Sequence, residues 1–414
     1  MMQTTPRFQV LWSRLLSVVE EQGQALMRAA FSLIVRECGD ISAGIFDIQG
    51  RMLAQTVTGT PGHINTMAKA VTHLCARFPL QGMRPGDIYM TNDPWIASGH
   101  LNDFLLLMPV FHKNRVIGFT SCTSHPVDFA GSDPVAGKGI NVPLNYATAY
   151  TVFALRCLIG PDIPNNAGSL APFRVTAPPG CILNARHPAP VAMRHSLGQM
   201  MPDLVYGCLS QALHEQVPAE GASCMYDLPL RHAPEAHKCG DTLFALELVL
   251  NGGTGAQPQR DGLSATAFPS GVWGSQIETT EAVAPVLFNR RELRCDSGGT
   301  GKRRGGLGQR IEIRAAREQD LMLFLSVERV KIPAAGRYGG GPGAAGRIRL
   351  ASGEADLPGK GEIRIPAGET LILETPGGGG YGPATERAAD KLAEDVRAGL
   401  VSPAAARNVY GGSV

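Results

Sequence analysis

Residues 86–125 read GDIYMTNDPWIASGHLNDFLLLMPVFHKNRVIGFTSCTSH, and this stretch decides how the first part of the chain folds. It concentrates polar groups: Asn92, Asp93, His100, Asn102, Asp103 and His125. The run from Phe104 to Phe111 is apolar and broken only by Pro109; His112-Lys113-Asn114-Arg115 is a short polar break, and Val116 to Thr120 follows. Two β-prone runs around a polar break predict an antiparallel hairpin. A three-residue loop over 113–115 sets Asp103 opposite His125, whereas a two-residue loop sets Asn102 there. Either register brings the two ends within a few ångström, because facing Cα atoms lie about 4.5–5.5 Å apart. His100 enters from the preceding loop. His100, Asp103 and His125 are thereby expected at one mouth, and two imidazoles with one carboxylate and open positions suit a divalent metal such as Mn, Zn or Fe. The spacing His-x-x-Asp alone is weak evidence; the hairpin supplies the proximity.

Upstream, Phe8, Leu11, Leu15, Val18 and Val19, then Leu26, Ala30, Leu33 and Ile34, recur at helical spacing. Residues 45–47 and 51–54 flank Ile48-Gln49-Gly50 as a second hairpin. Asp40, just before it, is a candidate catalytic carboxylate, with a turn or cap role as the plainer alternative. Residues 59–62, GTPG, open a helix that carries His63 and Asn65 in its first turn. There, exposed amides suit an anion and ordinary N-capping is the default. Downstream of about residue 160, Gly and Pro punctuate short strands, which predicts an antiparallel β-rich region with a helical insert over 194–216. The segment DSGGTGKRRGGLGQR, 296–310, departs from a phosphate-binding loop because Arg303 follows Lys302, so a tight turn with a basic tip is expected.

The expected class is α+β: an N-terminal α/β metal-site region over 1–126, a β-rich region with a helical insert over 127–382, and a helical tail over 383–414. The 414 residues carry a formal net charge of +2, which argues against nucleic-acid or membrane-surface binding by electrostatics. No apolar run reaches the roughly 18 residues of a membrane-spanning helix, and no secretory leader pattern opens the chain. Nine scattered cysteines without Cys-x-x-Cys suit reduced thiols in a cytoplasm.

Several of these segments together resemble the B subunit of the hydantoinase/oxoprolinase family. They are Asp40 to Gln55, Gly62-His63-Ile64, Asn92-Asp93-Pro94, His100-Leu101-Asn102-Asp103 and Ser124-His125. Further on they are VDFAGSDPVAGKGINVPLN at 127–145, PDIPNNAGSLAPFRV at 161–175, DSGGTGKRRGGLG at 296–308 and TPGGGGYG at 375–382. The resemblance covers nearly the whole chain, in the family's order. It implies that His100, Asp103 and His125 are the metal ligands, with Asp40 or Asp93 as general base or as the group that orients a ligand. It also implies a hetero-oligomer with an A-type, ATP-binding partner that phosphorylates a cyclic amide: a hydantoin, 5-oxoproline or another lactam. The alternatives are a subunit of an ATP-dependent ketone carboxylase and an inactive, shortened paralogue with an assembly role. Relatives place a long, largely helical segment between the second metal histidine and Val-Asp-Phe; here His125-Pro126 runs directly into Val127, a loss of about 150 residues by analogy. Uncovered apolar surface is expected around 126–131.

Overall fold

The computed structural model describes residues 6–30, 33–57, 59–101, 103–124, 141–177, 179–213, 215–236 and 243–412. The join around 126–131, with the apolar surface expected there, lies outside the described residues. Among those described, no helix is long and apolar enough to cross a membrane. The fold is α+β, helices with antiparallel sheets throughout. The chain divides into two compact units: 1–202 with 269–272, and 203–268 with 273–414.

The first unit begins with α1 (Pro6–Ala29) and the short α2 (Leu33–Arg36), then the hairpin of β1 (Ile41–Phe46) and β2 (Met52–Gln55). The turn between the strands is closed by Gly50 N–H on the Asp47 carbonyl at 2.9 Å. Helix α3 (Pro61–Arg77) follows, started by Thr60, whose side chain accepts from His63 N–H, and by Pro61 in the first turn. Strands β3 (Tyr89–Thr91), β4 (Phe104–His112) and β5 (Arg115–Ser124) complete a five-stranded antiparallel sheet in the order β2-β1-β5-β4-β3. One face of the sheet packs Phe46, Leu105, Leu107 and Phe119 against Met67, Ala70 and Val71 of α3. Helices α4 (Leu144–Leu158), α5 (Ala167–Leu170) and α6 (His195–Gly198) finish the unit.

The expected hairpin of β4 and β5 is present, but its loop is two residues long, not three. Lys113 and Asn114 both have positive φ, 47° and 58°, the conformation that matches strand twist in a two-residue turn. Pairing starts at His112 with Arg115 and shifts by one residue between Phe111–Val116 and Val110–Gly118, so Ile117 is a bulge. The bulge restores the register that the longer loop would have set, and Phe104 faces Ser124. The last described pair beside Asp103 therefore keeps the expected register by a different local route. Gly118 is fixed by its neighbour: a Cβ there would stand 2.6 Å from the Phe46 carbonyl oxygen on β1.

The second unit starts within α7 (Met201–Leu209), and the expected long helical insert is present as the two helices α6 and α7, interrupted at 199–200. Strands β6 (Met225–His232) and β7 (Ala245–Asn251), helix α8 (Ile277–Val283), and strands β8 (Val286–Leu293), β9 (Gln309–Ala315), β10 (Leu321–Ser326), β11 (Arg347–Leu350), β12 (Lys360–Ile365) and β13 (Thr370–Glu374) follow. They form two four-stranded antiparallel sheets, β12-β10-β6-β7 and β11-β13-β9-β8. Leu228, Leu230 and Leu323 of one sheet share a core with Ile311, Ile313 and Leu371 of the other, a sandwich. Helices α9 (Ala389–Arg397) and α10 (Pro403–Asn408) close the chain around Leu392, Val401 and Tyr410.

At one end of the second unit, three glycine-rich stretches interleave backbone to backbone. Gly306 N–H donates to the Thr254 carbonyl, Gly378 N–H to Gly306, and Gly299 N–H to Gly378, at 2.8–2.9 Å. A Cβ on Gly378 would fall on the Thr254 carbonyl oxygen. The expected basic loop is here, closed by Gly305 N–H on the Gly299 carbonyl. Lys302 is exposed at its tip, but Arg304 is buried and reaches Asp395 at 3.5 Å.

Gly118→Ala should push β1 and β5 apart and cost about 1–3 kcal/mol, read as a lower urea midpoint. Asn114→Gly, in a left-handed position that glycine tolerates, should leave the unfolding free energy within about 0.5 kcal/mol of wild type.

Candidate functional site

The loop from Asn92 to Asp103 is held from several sides. Asn92 Nδ2 donates to the Leu101 carbonyl at 3.0 Å, and Asp93 Oδ1 accepts from Trp95 N–H at 2.8 Å. Asn145, in the first turn of α4, donates to the Ala97 carbonyl at 2.8 Å. Trp95 Nε1 donates to the Ala185 carbonyl at 3.2 Å. Arg194 Nε donates to the Ser98 carbonyl at 2.7 Å, and Gly99 leaves room for the Arg194 side chain. The loop is thus fixed before it delivers His100 and Asp103.

Asp103 is fully buried at the foot of β4 and gathers three cationic or proton-bearing groups. His100 Nε2 lies 2.7 Å from Oδ1, and His63 Nε2 lies 2.9 Å from Oδ2. Arg194 donates to Oδ2 at 2.8 Å. The other nitrogen of His63, Nδ1, faces Asp40 Oδ1 at 3.5 Å. Behind Arg194, the Tyr146 ring stacks at 4.6 Å from the guanidinium carbon, and Tyr150 continues the line to Ser270 at 2.8 Å. Gly62 and Gly198 admit Tyr146, since a Cβ on either would strike its ring.

The electrostatics follow from burial against pairing. Burial opposes ionisation of Asp103, but His100, His63 and Arg194 outweigh it and hold the carboxyl well below the usual range. Burial likewise works against protonated His63, yet Asp103 and Asp40 prevail and raise its pKa above the ordinary imidazole value.

Of the residues expected from sequence, the structure brings together His100, Asp103 and, through His63, Asp40. Asp93 is exposed, and its described hydrogen bonds are those of the turn at Trp95 rather than of the Asp103 group. His125 lies outside the described residues. Among the described residues, no three His, Cys, Asp or Glu side chains are arranged to hold a metal ion. The donor chemistry of His100 on Asp103 nevertheless fits a divalent cation: one imidazole and one oxygen of a carboxylate whose other oxygen is held by His63 and Arg194. His63 was legible only as a helix-start residue, and Arg194 only as the first residue of the expected helical insert.

The His63–Asp103 pair has a pH window in the chelator-treated protein. The lowered pKa of Asp103 gives stability that is present above the ordinary 3.8 and lost as pH falls through the folded value. The raised pKa of His63 gives stability that is present below the ordinary 6.5 and lost as pH rises through the folded value. Wild type should exceed Asp103→Asn in urea-unfolding free energy by about 3 kcal/mol or more between those two limits, with the gap narrowing on either side. A gap that does not vary with pH would contradict this assignment.

Against known proteins, the chain matches the Hydantoinase B/oxoprolinase family over residues 5–128 and 126–384. An uncharacterized protein of Methanocaldococcus jannaschii is 24% identical over 536 positions, covering 95% of this chain and 93% of the relative. That alignment is longer than this 414-residue chain, so the relative carries residues with no counterpart here. 5-oxoprolinase 1 of Arabidopsis thaliana is 33% identical over 260 residues, 62% of this chain and 19% of that protein. Caprolactamase subunit beta of Pseudomonas jessenii is 32% identical over 246 residues, 56% of this chain and 42% of that subunit. The chain thus spans less than half the length of these last two relatives. The crystal structure of ATP-dependent caprolactamase from Pseudomonas jessenii superposes with a TM-score of 0.84 at 20% identity, covering 100% of this chain and 97% of that one, which shows a shared fold. With the family matched along most of its length, the chain belongs to the Hydantoinase B/oxoprolinase family.

Proposed function

We propose that this chain is the B-type subunit of an ATP-dependent hydrolase of cyclic amides and works on a substrate that an A-type partner has phosphorylated. The observation that carries the reading is the buried Asp103 with His100 and His63 on its two oxygens, inside the span of the family match. The names of two relatives, 5-oxoprolinase 1 and caprolactamase subunit beta, point to lactams as the substrate class. A lactam resists attack because amide resonance makes its carbonyl weakly electrophilic. Phosphorylation of its oxygen by the partner creates a leaving group. His100, Asp103 and His125 would hold a divalent metal ion, which supplies a water of lowered pKa as nucleophile. The chain's own contribution is orientation. Arg194 and His63 fix one oxygen of Asp103, which leaves the other toward His100. Asp40 aligns His63 and can take a proton that His63 releases at Nδ1.

A second reading is favoured by one observation, the shorter length relative to the archaeal relative: the chain assembles with a partner without chemistry of its own. The experiment that separates the two is co-expression with an A-type partner, followed by ATP hydrolysis assays with hydantoin, 5-oxoproline and caprolactam. Substrate-dependent ADP release with ring opening, lost by at least about a hundredfold in His100→Ala, is expected. Metal content should fall in both His100→Ala and His125→Ala by elemental analysis. A complex that forms but opens none of the three rings would favour the assembly role.

A further inference from the structure

A second polar feature lies away from the Asp103 group. Between α3, α4, α5 and the β1–β2 turn there is a cavity of about 410 Å³, within the size range of small-molecule sites. Successive helix residues turn by about 100°, so Asn65, Lys69 and Thr72 share a face of α3 directed away from that of His63. The same side chains line the cavity, whereas His63 points to Asp103. The cavity is therefore distinct from the candidate active site.

Its lining has a consistent chemistry. Most of the wall is apolar, with Val152 and Phe173 among its members. Two amides, Asn65 and Asn145, face it, and no Asp or Glu lines it among the described residues. Lys69 sits at the solvent-accessible rim and makes no hydrogen bond or ion pair among the described residues. Partial desolvation lowers its pKa, and a bound anion would reverse that cost. The guanidinium of the lining, Arg51, is engaged by Asp47 at 2.7 Å, and His73 is the one imidazole there.

From the cavity, its apolar wall and its single unengaged ammonium, we propose that this is a binding site for a small monocarboxylate with an apolar body. The chain of the ligand lies along Val152 and Phe173, and its carboxylate meets Lys69 at the rim. The consequence reaches the first site, because Asn145 lines the cavity and also holds the Ala97 carbonyl of the loop that delivers Asp103.

The test uses the full chain and three probes of equal length: hexanoate, hexanol and hexylamine. Isothermal titration should show saturable hexanoate binding, with hexanol and hexylamine at least tenfold weaker. Lys69→Gln should weaken hexanoate about tenfold, the scale of one charge-assisted hydrogen bond. Thr72→Trp, placed at the exposed rim to close the mouth, should abolish binding while far-UV circular dichroism stays unchanged. Non-saturating hexanoate, hexylamine binding as tight as hexanoate, or a folded Lys69→Gln that binds hexanoate as wild type does would each overturn the proposal.

Discussion

A carboxylate removed from water must be compensated, and in the first unit that requirement falls on Asp103. An isolated buried charge costs far more than a domain can spare, so the partners must be in place whenever the unit is folded. They come from separate parts of the chain: His63 from α3, His100 from the loop before β4, and Arg194 from a segment 91 residues downstream. Much of the local architecture then has a reason. Gly62, Gly99 and Gly198 clear space for Tyr146 and Arg194. Thr60 starts α3 so that His63 falls within its first turn. The sheet brings Asp40 to the start of β1, against the far side of His63.

Legibility in the sequence tracked locality. The hairpin of β4 and β5 could be read because alternating burial and a polar break are properties of neighbouring residues. Its loop length could not, since the bulge at Ile117 sits beside Gly118, where β5 lies against Phe46 of β1, a pairing between residues far apart in sequence. The correct register at the open end was thus reached with the wrong turn. His100 with Asp103 was visible as a spacing. His63 was visible as a position without a partner, and the role of Arg194 was invisible because no period or motif ties residue 194 to residue 103. The same holds for the glycine-rich stretches: their composition was plain, but which stretch lies on which is a long-range pairing.

The family match falls in two segments, one ending at residue 128 and the next starting at 126. The described parts of the Asp103 group fall on both sides of that division. Asp40, His63, His100 and Asp103 precede it, and Arg194, Tyr146 and Asn145 follow it. Both matched segments therefore contribute to the group: the first supplies the carboxylate and its two imidazoles, the second the guanidinium and the amide that clamps the loop.

The interleaved glycines of the second unit have a thermal consequence. Where Gly306, Gly378 and Thr254 lie backbone on backbone, folding buries peptide groups and almost no hydrocarbon. Exposing peptide on unfolding lowers the heat capacity, whereas exposing the leucines and isoleucines of the sandwich raises it. The two parts of one unit thus carry opposite temperature dependences. The glycine end keeps its hold on cooling, when the attraction among the sandwich side chains weakens.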